Sequence, residues 1–201
     1  MADCYIVRRG GASSAPKTTE KIIYNMPLKT SLEDVSGYNR ESVYNNGGTE
    51  QTITVANGLY LYNNSVSLDI SFLNDIIDNK FVIDFDFQYQ STGTENNPSY
   101  RRMIWWYPFC MEIGNNYINI IQFGTSILYA TKNKYDGMLW HHAKLTVDLN
   151  TKIFTLSIDN DTEVLSITIN STFDGSIKLG DNNYGLNGYV RNFVITTGGA
   201  E

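Results

Sequence analysis

The strongest constraint on the fold lies between Trp140 and Ile158. Ala143, Leu145 and Val147 alternate with Lys144, Thr146 and Asp148. After a polar break, Phe154, Leu156 and Ile158 alternate with Thr155, Ser157 and Asp159. A period of two gives each segment one apolar and one polar face, as in a half-buried antiparallel hairpin. Asp148-Leu149-Asn150-Thr151 supplies the turn, because Asp and Asn side chains bond nearby backbone groups and tolerate left-handed geometry. A hairpin with one apolar face needs a second layer to cover it, so the remaining chain should provide further strands.

It does. Phe81, Ile83, Phe85 and Phe87 alternate with Val82, Asp84, Asp86 and Gln88, predicting another strand with its phenylalanines inward. Gly58–Tyr62 and Val66–Ile70 read as two strands separated by Asn63-Asn64, a hairpin turn. Phe72, Leu73, Ile76 and Ile77 have helical spacing, which predicts a short helix within residues 71–78. Residues 91–99 form a polar loop. Strands follow at 101–113, 117–123 and 126–131, and after the central hairpin at 164–170, 176–179 and 188–196. Fourteen Tyr, nine Phe and three Trp favour strands, and 16 Gly against four Pro fit many turns. The fold class is therefore all-β, an antiparallel β-sandwich. Residues 51–201 are expected to form it. Residues 1–50 read as an N-terminal arm or linker partly packed on the domain, with a Gly/Ser/Pro stretch from Gly10 to Pro16.

Charge narrows the function. The net charge is −6 and no Lys/Arg stripe is visible, so the electrostatic term that drives nucleic-acid binding is missing. Cys4 and Cys110 give neither a disulfide framework nor metal spacing, and two free thiols are expected. The start Met1-Ala2-Asp3-Cys4 has no apolar run of a secretory signal, and no run approaches membrane-spanning length. The chain is expected to be made in the cytoplasm.

Three groups of residues bear on chemistry. Glycoside cleavage needs two carboxyl groups flanking the bond, one protonated and one ionised. Asp84 and Asp86 share a sheet face about 7 Å apart at the backbone, but neither is Glu, and Glu112 stands alone on its strand. A solvated outer face is the expected role for the aspartates. His141 and His142 point to opposite faces as strand neighbours and cannot jointly grip one metal. The aromatic run at Trp105, Trp106 and Tyr107 is the best ligand candidate: Trp105 and Tyr107 should share one side, with Trp106 on the other. Sugar C–H surfaces stack on such rings, and Tyr117, Asn119 and Tyr129 lie on the strands expected nearby. Rings that merely fill two packed layers would give the same pattern.

Three pieces carry a resemblance: the strand from Phe81 to Gln88, the Trp140-His141 strand-turn-strand unit to Asp159, and the Gly-rich closure from Leu179 to Ile195. Together they resemble the concanavalin A-like lectin/glucanase superfamily, particularly its laminin-G-like jelly-roll members, over residues 52–197. The resemblance implies a final strand that returns beside the first. It also implies calcium at the sandwich rim, through Asp181 or through Asp159 and Asp161, segments that read equally well as plain turns. No other cofactor is implied. The opening Met1 to Gly11 is similar to the start of bacteriophage and prophage structural proteins. The expected function is a non-catalytic, lectin-like module recognising glycan or cell-surface polysaccharide, set in a phage tail or fibre. The alternatives are a structural virion protein that contacts other virion proteins through residues 1–50, and a lectin-like glucanase.

Overall fold

The computed structural model describes residues 20–45, 52–54, 56–62, 64–90, 101–107, 109–114, 117–122, 127–131, 135, 137–159, 165–168, 177–182 and 186–198. The strands in chain order are β1 (Lys21–Met26), β2 (Val43–Asn45), β3 (Thr52–Thr54), β4 (Gly58–Leu61), β5 (Ser65–Ser67), β6 (Lys80–Tyr89), β7 (Arg101–Trp106) and β8 (Phe109–Gly114). They continue with β9 (Tyr117–Gln122), β10 (Ile127–Ala130), β11 (His141–Asp148), β12 (Ile153–Ile158), β13 (Leu165–Thr168), β14 (Lys178–Gly180) and β15 (Gly188–Thr197). All pairings among the described residues are antiparallel. An eight-stranded sheet runs β13-β12-β11-β6-β15-β4-β3 with β1 also on β15, and a seven-stranded sheet runs β10-β9-β8-β7-β14-β5-β2. The chain is an antiparallel β-sandwich, as its alternation predicts.

The central hairpin forms in the expected register, with Ala143 opposite Ile158 and Val147 opposite Phe154. Asp148 Oδ1 accepts from the backbone N–H groups of Asn150 and Thr151, which closes the turn. Phe81, Phe85 and Phe87 of β6 are buried against the opposite layer. Phe109 of the seven-stranded sheet stacks on Phe154 of the other at 5.1 Å, and Trp106 reaches Phe81 at 6.0 Å. These ring pairs join the sheets through the core.

One expectation is corrected and two are made more definite. Asn63-Asn64 does not turn a hairpin: β4 pairs with β3 and β15, whereas β5 pairs with β2 and β14 in the other sheet. The chain passes from one layer to the other between Leu61 and Ser65, and Asn64 Oδ1 accepts from the Tyr62 N–H at 3.1 Å. The helical segment is a 3-10 helix over Ile70–Asp75, opened by Asp69 accepting from the Ser71 N–H, with Phe72 buried. Residues 20–45 carry two strands, and Ile23, Tyr24, Met26 and Leu28 are fully buried in the common core. Residues 1–19 and 91–99 lie outside the described residues. Among the described residues no helix is long and apolar enough to cross a membrane.

Candidate functional site

The outer face of the seven-stranded sheet follows from its register. One row crosses all seven strands: Val43, Ser67, Lys178, Trp105, Cys110, Ile121 and Leu128. The next contains Arg102, Glu112, Asn119 and Ala130. The core row between them contains Val66, Leu179, Ile104, Met111 and Ile120. By register, Trp105, Tyr117 and Asn119 thus stand on one face, where Asn119 is buried. Trp106 does not join them, because it packs in the core at 3% exposure. Tyr107 lies in the turn after β7 and is 49% exposed, so the alternation that would pair it with Trp105 stops before it. Tyr129 is opposite Ile120 in the pairing of β10 with β9.

A bulge adds a residue that alternation conceals. The register shifts between Arg102 and Ile104, so Met103 and Ile104 are both buried and Arg102 joins Trp105 on the outer face three residues away. Arg102 donates to Asp181 Oδ2 at 2.9 Å. Lys178 Nζ lies 5.1 Å over the Trp105 ring. Beside them Glu112 is 2% exposed, and burial pushes its carboxyl up to about 7 although the Arg102 guanidinium pulls the other way. Glu112 Oε1 and Trp105 Nε1 are buried here without a hydrogen-bond partner. Cys110 is a free, fully buried thiol whose ionisation is pushed far up by burial and by Glu112, so it behaves as a small hydrophobe. Cys4 lies outside the described residues.

The rim aspartates are engaged separately. Asp159 adopts a positive φ of 55°, and its carboxylate accepts from the His142 N–H at 2.8 Å and faces His141 Nδ1 at 2.9 Å. Asp181 serves Arg102 on the other sheet. Asp161 lies outside the described residues. Among the described residues no group of three His, Cys, Asp or Glu is arranged to hold a metal ion.

Asp84 and Asp86 lie on the outer face of the eight-stranded sheet, where His142 sits between them, with Nε2 3.0 Å from Asp84 Oδ1 and Nδ1 2.9 Å from Asp86 Oδ1. The imidazole fills the space in which a glycosidic bond would have to lie. Burial raises the Asp84 carboxyl. Burial acts the same way on Asp86, but hydrogen bonds from His142, Asn192 and Arg191 outweigh it and hold that carboxyl below its usual range. His141 faces inward instead, packed against Phe87 and Tyr135.

No family model matches the chain, and no curated protein matches its sequence. Solved structures do match. The receptor-binding domain of botulinum neurotoxin mosaic serotype C/D superposes with a TM-score of 0.64 at 19% identity, over 90% of this chain and 48% of that one. The binding domain of botulinum neurotoxin DC, solved in complex with rat synaptotagmin II, gives 0.62 at 15% identity, over 90% and 49%. A structure of botulinum neurotoxin type C, whose cell entry depends on two ganglioside molecules, gives 0.63 at 15%, again over 90% and 49%. The similarity is one of fold, and the chain spans about half the length of each of these structures.

Proposed function

We propose that the chain is a non-catalytic binding module that recognises cell-surface glycan through the outer face of its seven-stranded sheet. One observation carries this reading: a partly exposed Trp105 ring stands beside the row of Arg102, Glu112 and Asn119, and the buried Glu112 Oε1 and Trp105 Nε1 lack partners. A buried polar atom left unpaired costs about 1–3 kcal/mol. A hydroxyl group can accept from an indole N–H or donate to a carboxylate, so sugar hydroxyls are chemically suited to either atom. The half-buried Tyr117 adds a further hydrogen-bonding group on that face, whereas Asn119 on the same face is buried. Arg102, paired with Asp181 and beside the carboxyl of Glu112, leaves little net charge there and disfavours strongly charged ligands. The fold is shared with receptor-binding domains that engage gangliosides or a protein receptor, which supports a binding role. The lectin-like resemblance of the sequence and a place in a phage tail or fibre belong to the same proposal.

The test is a glycan array, with and without calcium, comparing the wild-type chain with W105A. Binding to at least one glycan class is expected, weakened roughly tenfold in W105A, about 1.4 kcal/mol. Absence of binding under both conditions, or binding indifferent to W105A, would overturn the assignment.

A further inference from the structure

We infer that the outer face of the eight-stranded sheet carries a second glycan surface, one that takes an extended, neutral polysaccharide chain. Two rows define it. Tyr60 of β4 is opposite Tyr189 of β15, which is opposite Gln88 of β6. Two residues along, Arg191 of β15 is opposite Asp86 of β6, which is opposite His142 of β11. At ordinary strand spacing these rows cover roughly 15 Å across the strands and about 7 Å along them.

The rings are held in place by polar contacts. Tyr60 and Tyr189 lie 5.0 Å apart at a 47° tilt, and the Tyr60 hydroxyl donates to Asn187 Oδ1 at 2.9 Å. The Arg191 guanidinium lies 3.7 Å over the Trp140 ring, and its Nε donates to Asp86 Oδ2 at 3.3 Å. Asp86 also accepts from Asn192 Nδ2 at 2.8 Å. Gln88 Nε2 donates to the Met138 carbonyl at 2.6 Å. Fixed aromatic surfaces beside planar hydrogen-bonding groups match the alternation of C–H faces and hydroxyls on a sugar chain, with little ordering left to do on binding.

Charge and shape select the ligand class. Asp84 and Asp86 are balanced by Arg191 and Lys144 with His142 between the acids, which leaves little net field for a polyanion or a polycation. The two rows lie across four neighbouring strands, β4, β15, β6 and β11, so they suit a chain laid across several strands better than a small molecule that needs enclosure.

The test is native affinity electrophoresis of the full chain in gels containing soluble dextran, mannan or mixed-linkage β-glucan. At least one should retard the wild-type protein, with retardation at least tenfold weaker in Y189A and in Y60A and retained in Y189F and in W105A. Circular dichroism melts identify any variant that fails to fold, and Y60A serves if Y189A does. Absence of retardation by all three polysaccharides overturns the inference. So does retardation abolished by W105A but indifferent to Y60A and Y189A, a pattern that would leave the Trp105 face standing. Loss in the tyrosine variants alone supports this surface whatever becomes of the other.

Discussion

A carboxyl group at 2% exposure, beside an arginine already engaged by Asp181, gains little from being charged. Burial therefore lifts Glu112 from an ordinary value of 4.5 to about 7. The unfolded chain releases that proton near 4.5. Between 4.5 and about 7 the folded state holds a proton that the unfolded state has lost, so stability falls as pH rises through this window and levels off above it. Asp34 and Asp86 act in a separate window. Burial alone would raise both, but hydrogen bonds hold them below 3.8, so the stability they add is lost only as pH falls through that lower range. Thermal melts at pH 5 and pH 8 should show a lower Tm for the wild type at pH 8 and a smaller difference for E112Q. Equal differences in the two proteins would refute the assignment. The sequence shows Glu112 as one acid on an apolar strand, and Trp105 as a ring facing away from Trp106. It does not show Arg102, because a bulge at Met103 breaks the count of two that relates side chain to face, and no residue pattern announces the bulge.

The elements differ in the same way. The β11–β12 hairpin was legible because alternation and turn residues point to one register. The β4–β5 connection was not, because an Asn-Asn pair marks a change of direction without saying whether the chain pairs back or crosses to the other layer. β1 was hidden too: a register irregularity between Ile22 and Tyr24 leaves Ile23 and Tyr24 both buried, so its apolar residues do not alternate. β15 contains the irregularity with the clearest consequence. Between Arg191 and Val194 its pairing with β6 shifts, and Asn192 takes a φ of 53°. This bulge directs two consecutive side chains, Arg191 and Asn192, onto the single carboxylate of Asp86. Gly58 makes room for the arrangement, since a Cβ there would stand 2.4 Å from the Val190 carbonyl oxygen and 2.8 Å from the Arg191 Cβ. A β-branched residue at a left-handed position meets its following carbonyl. N192V should therefore cost about 1–2 kcal/mol from backbone strain, whereas N192G should cost less. Urea unfolding of the two variants decides the matter: comparable losses would mean that the Asp86 hydrogen bond, not the backbone, sets the cost.

At the scale of the molecule, β15 couples the N-terminal part of the described chain to the outer faces. Residues 193–197 pair with β1, residues 188–190 with β4, and the bulge lies between. β6 runs along its other side, so the platform of Tyr189, Arg191 and Asp86 rests on a strand that is braced at both halves. The brace is also core. Ile23, Tyr24, Met26 and Leu28 are fully buried, and Tyr24 makes edge contacts at 6.2 Å with both Phe72 and Phe193. Deleting a single buried side chain of this size costs about 2–5 kcal/mol, and a whole domain is stabilised by only about 5–15 kcal/mol. A chain beginning at Lys29 loses all four at once and exposes the backbone of β15 that β1 covered. It should lose its cooperative thermal transition and its retardation by polysaccharide together. A cooperative melt within a few degrees of the full chain would show instead that β1 is an appendage, and that β15 holds the platform through β4 and β6 alone.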